Sequence, residues 1–390
     1  MYPHQIERLT GVLNAAGVEA LVASSTANVA YVTGFRSFTH AWLHPPQFAV
    51  FARRGTALVV PASDVAAVVA DDVDVDHVLC FGEPSPSSAD APGPLARRVQ
   101  AIVGRRASTA IDSLAAALEA LEFGQGSIAL DAARMPGAEH DRIAARLSPR
   151  RMVPGSAALH AARRVKAPFE IECLAGALRI AEEALNEVIQ MLKRGVTERE
   201  ATTLYLAEVV KRGGEPVPSA VTTGDRTGLG TTWPSGRELR PGELVRLDVG
   251  CAYRGYVARV GRTAVLGEPT AEGDAAHGAI QAGLEAAVEA TVPGRPAGDV
   301  YRAAHGAMGD GGLRVFSDSA IGHGIGLEGC EPPWLAPHDV TPLEAGEVLS
   351  IELSHQTAGG GGFLARDTVL VTVGGARVLN RSSRGLVILD

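Results

Sequence analysis

The apolar patterning of this chain changes near residue 156, and that change limits what it can fold into more than any other feature. Before it, short helical and strand-like runs alternate. Ile6, Leu9, Val12 and Leu13 recur at helical spacing, Gly17 is placed to stop that helix, and VEALVAS (18–24) reads as a buried strand. QFAVFA (47–52), TALVVP (56–61), VDHVLCF (75–81) and SIALD (127–131) read as further strands. This alternation predicts a three-layer α/β domain over 1–155, with PSPSSADAPGP (84–94) as a surface loop. Beyond the change, Ile171, Leu174, Leu178, Ala181, Leu185, Val188 and Leu192 step by three and four, the longest amphipathic helix in the chain. Gly195 ends it, and Thr197 with Glu200 forms a capping box for the next helix. Two runs of strands follow, 217–223 with 244–266 and 347–354 with 367–379, with helices near 271–291 and 297–308 between them. A chain of 390 residues exceeds one ordinary core, so a second domain is expected over 156–390.

Composition narrows the function classes. With 46% hydrophobic and 21% charged residues the chain buries a core and is not disordered. A net charge of −8 argues against nucleic acid or an anionic membrane as partner. Cys80, Cys173, Cys251 and Cys330 lie far apart with no CxxC or CxH spacing, which suits reduced thiols better than disulfides or a zinc site. MYPHQIERLTGVLNAAG lacks a basic segment followed by an apolar run, and no window approaches 18 uninterrupted apolar residues. The expectation is a soluble, cytoplasmic protein.

Five blocks carry the chemistry: LVRLDVG (244–250), GYVARVGRT (255–263), GHGIGLEGCEPP (322–333), LSIEL (349–353) and GFLARDTVLVT (362–372). In order and content they resemble the conserved blocks of the creatinase / aminopeptidase P / methionine aminopeptidase family. ARRVKAPFEIECL resembles that family's entry into its catalytic domain, and NVAYVTGFRSF (28–38) resembles a block of its N-terminal domain. The resemblance implies a two-domain α/β (α+β) protein, with a creatinase-like three-layer domain followed by a pita-bread catalytic domain. It also implies a homodimer, in which the loop carrying Arg36, His40 and Trp42 is a candidate to close a neighbouring subunit's pocket.

In the family's metallopeptidases the five blocks supply Asp, Asp, His, Glu and Glu to two divalent metals. The matching positions here are Asp248, Arg259, His323, Glu352 and Arg366. Two acids and two guanidiniums make this set neutral by itself, and a guanidinium cannot be deprotonated to become a ligand. No metal and no other cofactor is therefore expected. Asp248 ends an apolar strand two residues before Gly250, where a turn former is the alternative reading. His323 stands among three glycines that let backbone crowd an imidazole. Glu352 is the one charge in VLSIELS, so it points inward and needs a partner.

Further departures suggest a remodelled pocket. Creatinase's general base is a His in the block matching GDRTGLGT (224–231), where this chain has Thr231. Cys330 stands where family peptidases carry a second His; it is a nucleophile if its neighbours lower its pKa, and otherwise a buried inert thiol. His355 falls on the strand face opposite Glu352 by alternation. These residues lead to the expectation of a metal-independent, creatinase-like enzyme acting by acid–base chemistry on a small anionic nitrogen-containing substrate. C–N hydrolysis is the default, and a lyase, isomerase or cyclisation step is compatible. His323, Glu352 and Asp248 would be catalytic, and Arg259, Arg366, Cys330, Thr231 and Arg36 would bind substrate. A non-catalytic binding module and a mononuclear Xaa-Pro-type metallopeptidase are the alternatives.

Overall fold

The computed structural model describes residues 2–83, 93–230, 232–313 and 319–390. Residues 84–92 of the expected surface loop lie outside this set, as does Thr231. The chain divides into two compact units, Met1–Arg163 and Arg164–Asp390.

The first unit is built on a six-stranded mixed sheet. Its strands are β1 (Ala20–Ala23), β2 (Phe48–Ala52), β3 (Gly55–Pro61), β4 (His77–Phe81), β5 (Ile128–Leu130) and β6 (Met152–Pro154), in the order β4-β3-β2-β1-β5-β6. Its helices are α1 (Pro3–Ala15), α2 (Thr26–Thr33), α3 (Phe38–Leu43), α4 (Val65–Ala70), α5 (Pro94–Val103), α6 (Ala110–Ala120), α7 (Gly137–Leu147) and α8 (Ser156–Arg164). Every residue of β1 and β2 is buried, as a sheet covered on both faces requires. Leu114, Leu118, Ile143 and Leu147 of α6 and α7 pack on Val22, Val50 and Ile128. α1 ends at Ala15, and Gly17 follows in the left-handed region at φ +61°. The short strand β6 carries too few residues to show in the sequence pattern.

The second unit opens with α9 (Pro168–Met191), three residues earlier than its apolar stripe begins because Pro168 takes the first helical turn. α10 (Glu198–Lys211) follows, and Thr197 Oγ1 accepts from the Glu200 N–H at 3.2 Å as its capping box requires. The ten-stranded sheet has β7 (Glu215–Pro216), β8 (Ala220–Thr223), β9 (Leu244–Tyr253), β10 (Tyr256–Leu266), β11 (Gly322–Gly324), β12 (Glu331–Trp334), β13 (Val348–Thr357), β14 (Gly361–Thr372), β15 (Gly375–Val378) and β16 (Val387–Leu389). Between β10 and β11 lie α11 (Ala271–Ala290) and α12 (Ala297–Asp310). β14 begins six residues before the expected strand at 367, since the run of glycines at 359–362 hides its start.

Strand alternation sorts this sheet into two faces. Val245, Leu247 and Val249 of β9 and Ala258 and Val260 of β10 pack under Leu178, Ala181, Leu185 and Val188 of α9. Leu349, Ile351 and Leu353 of β13 with Ala365 and Val369 of β14 pack under Ile280 and Leu284 of α11 and Val300 of α12. The intervening residues therefore point away from the helices, and these include Arg246, Asp248, Arg259, Gly261, Glu352 and Arg366.

Candidate active site

The site is a row across four strands. Asp248 of β9 pairs with Gly261 of β10, Gly261 with Arg366 of β14, and Arg366 with Glu352 of β13. Directly paired residues share a face, so one register fixes the whole row. Gly261 is required: a Cβ there would lie 2.8 Å from the Cβ of Arg366 and 2.7 Å from Leu364 Cδ2. Its missing side chain opens the gap across which Arg366 reaches Asp248.

Arg366, only 6% exposed, is shared between the two acids. Its Nη1 donates to Asp248 Oδ1 at 2.5 Å and its Nη2 donates to Glu352 Oε2. Arg259 Nη2 donates to Asp248 Oδ1 at 2.8 Å. A third guanidinium completes the set. Arg246 Nη2 donates to Asp248 Oδ2 at 3.0 Å and lies 3.8 Å from Glu352 Oε1, while Nη1 donates to the Gly230 carbonyl. Sequence reasoning missed Arg246, although its position two residues before Asp248 puts it on the same face. The expected neutrality is corrected with it: three guanidiniums face two carboxylates, and this set carries a surplus positive charge.

His323 lies at the foot of the hairpin formed by β11 and β12. Its Nδ1 is 2.9 Å from the Gly324 carbonyl oxygen and its Nε2 is 3.3 Å from Cys330 Sγ. The flanking glycines serve the strands and not the imidazole. A Cβ on Gly322 would lie 2.4 Å from the Ser350 carbonyl oxygen, and one on Gly324 would lie 2.5 Å from that of Pro332. Burial holds the His323 pKa below its ordinary value, helped by the charges of Arg366 and Arg259, so the ring is neutral near pH 7. Cys330 is exposed, against the expectation of a buried inert thiol. His355 lines a separate cavity of about 660 Å³ with Arg237, Glu243 and Phe363. Arg36, exposed, belongs to the first unit with His40 and Trp42.

Burial of Asp248 opposes its charged form, but Arg366, Arg259 and Arg246 outweigh that and hold its pKa at about 2, against an ordinary 3.8. A carboxyl depressed in the folded state stabilises the fold above the unfolded value, and this contribution fades as pH falls through the folded one. The shift corresponds to about 2 kcal/mol, present above pH 3.8 and lost towards pH 2. Urea unfolding of the protein and of Asp248→Asn is expected to give stability curves that converge across this window. Curves that stay parallel from pH 5 to pH 2 would remove Asp248 from the charge balance.

The donor set does not fit two divalent ions as it stands. Arg366 lies between the two acids that would ligate, Arg259 engages the same oxygen of Asp248, and His323 Nε2 faces a thiol. Among the described residues, no three His, Cys, Asp or Glu side chains come together as an ion site.

Two family models match the chain: Metallopeptidase family M24 over residues 172–373 and the Creatinase/Prolidase N-terminal domain over residues 5–165. The Xaa-Pro dipeptidase of Pyrococcus furiosus is 30% identical over 228 residues, 58% of this chain and 65% of that protein. That of Pyrococcus horikoshii is 28% identical over the same shares. The match thus spans just under two thirds of the length of these relatives. The X-Pro aminopeptidase of Thermotoga maritima has the same fold, with a TM-score of 0.82 at 22% identity over 98% of this chain and 99% of that one. Among the described residues no helix is long and apolar enough to cross a membrane. The expectation of a metal-independent, creatinase-like enzyme is overturned by the match to a metallopeptidase family and by relatives named Xaa-Pro dipeptidase. It rested on two exchanged side chains, whereas the likeness runs through the strands and helices that carry them. A match over more than half of its length shows that this two-domain α/β chain, creatinase-like in its N-terminal half and pita-bread in its C-terminal half, belongs to metallopeptidase family M24.

Proposed function

We propose that this protein hydrolyses the C–N bond of short peptides, with Xaa-Pro dipeptides as its substrate class. The observation that carries the reading is the likeness to Xaa-Pro dipeptidases over 228 residues. The chemistry of the site supports it. A dipeptide ends in a carboxylate close to its scissile bond, and three guanidiniums against two acids leave one positive charge to receive it. Arg259 suits that role, since its side chain is 23% exposed whereas those of Arg246 and Arg366 are 4% and 7% exposed. Asp248 and Glu352 hold the guanidiniums in place, and His323 presents a neutral imidazole beside them. Such a ring accepts a proton at the start of amide cleavage and returns it to the departing amine.

Release of free proline from a panel of Xaa-Pro dipeptides, with Xaa-Gly dipeptides as comparison, tests the reading. Proline release with a preference for Xaa-Pro of at least about tenfold in kcat/KM, roughly 1.4 kcal/mol, is the expected result. Equal cleavage of both classes would remove the proline specificity, and no cleavage of either would remove the hydrolase.

A further inference from the structure

Cys330 and His323 form a pair that the family's blocks do not supply. The turn from β11 to β12 brings residue 330 back onto residue 323, and Sγ lies 3.3 Å from Nε2. The tautomer of the ring is set by its other nitrogen. A carbonyl oxygen only accepts, so Nδ1, 2.9 Å from the Gly324 oxygen, carries the proton and Nε2 turns its lone pair to the thiol. Cys80, Cys173 and Cys251 are buried, whereas Cys330 is exposed on the guanidinium face of the sheet. Partial desolvation of the sulfur, with Glu352 and Glu328 nearby, raises the thiol pKa against the charges of Arg259 and Arg366. The resting pair is therefore a neutral thiol beside a neutral imidazole, and its proton moves only as sulfur bonds to carbon.

We propose that Cys330 is a nucleophile for acyl transfer and that His323 is its base. The inference rests on the peptide-hydrolase reading and adds a covalent step to it. Sγ bonds to the carbonyl carbon of the scissile amide while its proton passes to His323 Nε2, and the carbonyl π pair moves to oxygen. The surplus positive charge of the site favours the negative oxygen that results. Collapse re-forms the carbonyl and breaks the C–N bond, and the Nε2 proton goes to the departing amine. A thioester on Cys330 remains. Water then adds with loss of a proton to Nε2, the C–S bond breaks, and that proton returns to sulfur. The products are a free amino acid, whose new carboxyl group gives its proton to water, and free proline, with the thiol regenerated.

Acid quenching during turnover of Ala-Pro, followed by mass spectrometry, is expected to find an alanyl adduct on the peptide containing Cys330. Cys330→Ala and Cys330→Ser are expected to lose on the order of a thousandfold in kcat with little change in KM or melting temperature. Iodoacetamide is expected to alkylate Cys330 before the other three cysteines, and more slowly in His323→Ala. If Cys330→Ala releases proline at the wild-type rate, the thiol proposal is overturned while the peptidase reading stands. If the wild type releases no proline from any dipeptide, the peptidase reading falls and takes the covalent step with it.

Discussion

Arg366→Met lowers the melting temperature of the second unit by about 10 °C, at a cost of about 3 kcal/mol. The guanidinium it removes is almost wholly buried and is the shared partner of Asp248 and Glu352. Met replaces its aliphatic stem but leaves the acids facing one another with less positive charge. Asp248 keeps Arg259 at 2.8 Å and Arg246 at 3.0 Å, so the larger part of the loss falls on Glu352, which keeps only Arg246 at 3.8 Å. Breaking a buried pair from one side costs about 3–5 kcal/mol because the other charge stays desolvated and unpaired, and the remaining arginines hold the value to the lower end. A thermodynamic cycle with Glu352→Gln separates the pair from the rest. The double variant should recover at least about 1 kcal/mol of the summed single losses. A drop of less than 2 °C for Arg366→Met would show that the guanidinium is not what holds the two acids.

The row that this variant disrupts was legible in part from the sequence. Glu352 stands out as the one charge in an apolar strand, and Asp248 and His323 stand out by the glycines that follow or flank them. Arg259 and Arg366 stand out because they break the pattern those blocks resemble. The helices α9 and α10 were legible too, since a stripe at three-and-four spacing and a capping box are local signals. The neutral count fails because alternation from Asp248 leads straight to Arg246, a third guanidinium on the same face. The contact between Cys330 and His323 was not legible. It depends on how the turn between β11 and β12 closes, with a register shift between His323 and Gly324, and no spacing rule fixes that. Gly261 was hidden for a similar reason: its role appears only when Leu364 and Arg366 of another strand are set beside it.

The same row yields the second large effect. The double variant Arg259→Asp with Arg366→Glu turns three guanidiniums and two acids into one guanidinium and four acids, with His323 beside them. Each new carboxylate starts from a backbone position that now carries a side chain aimed at Asp248, so the donors converge without any change of fold. Four like charges on neighbouring strands repel, and divalent cations relieve that repulsion. The variant is expected to take up on the order of two Mn²⁺ or Co²⁺ ions per chain, as two-metal sites do. Elemental analysis after dialysis reads the stoichiometry. A melting temperature that rises with added Mn²⁺ reads the same binding through its linkage to folding, by about 2.7 kcal/mol at a hundred times the dissociation constant. Arg366→Met tested alongside controls for the loss of the guanidinium alone, since it removes a cation without adding a donor. Should the folded double variant hold no more metal than Arg366→Met, Asp248, His323 and Glu352 would not share the geometry of the family's ion site, and the register Asp248–Gly261–Arg366–Glu352 would not be its descendant.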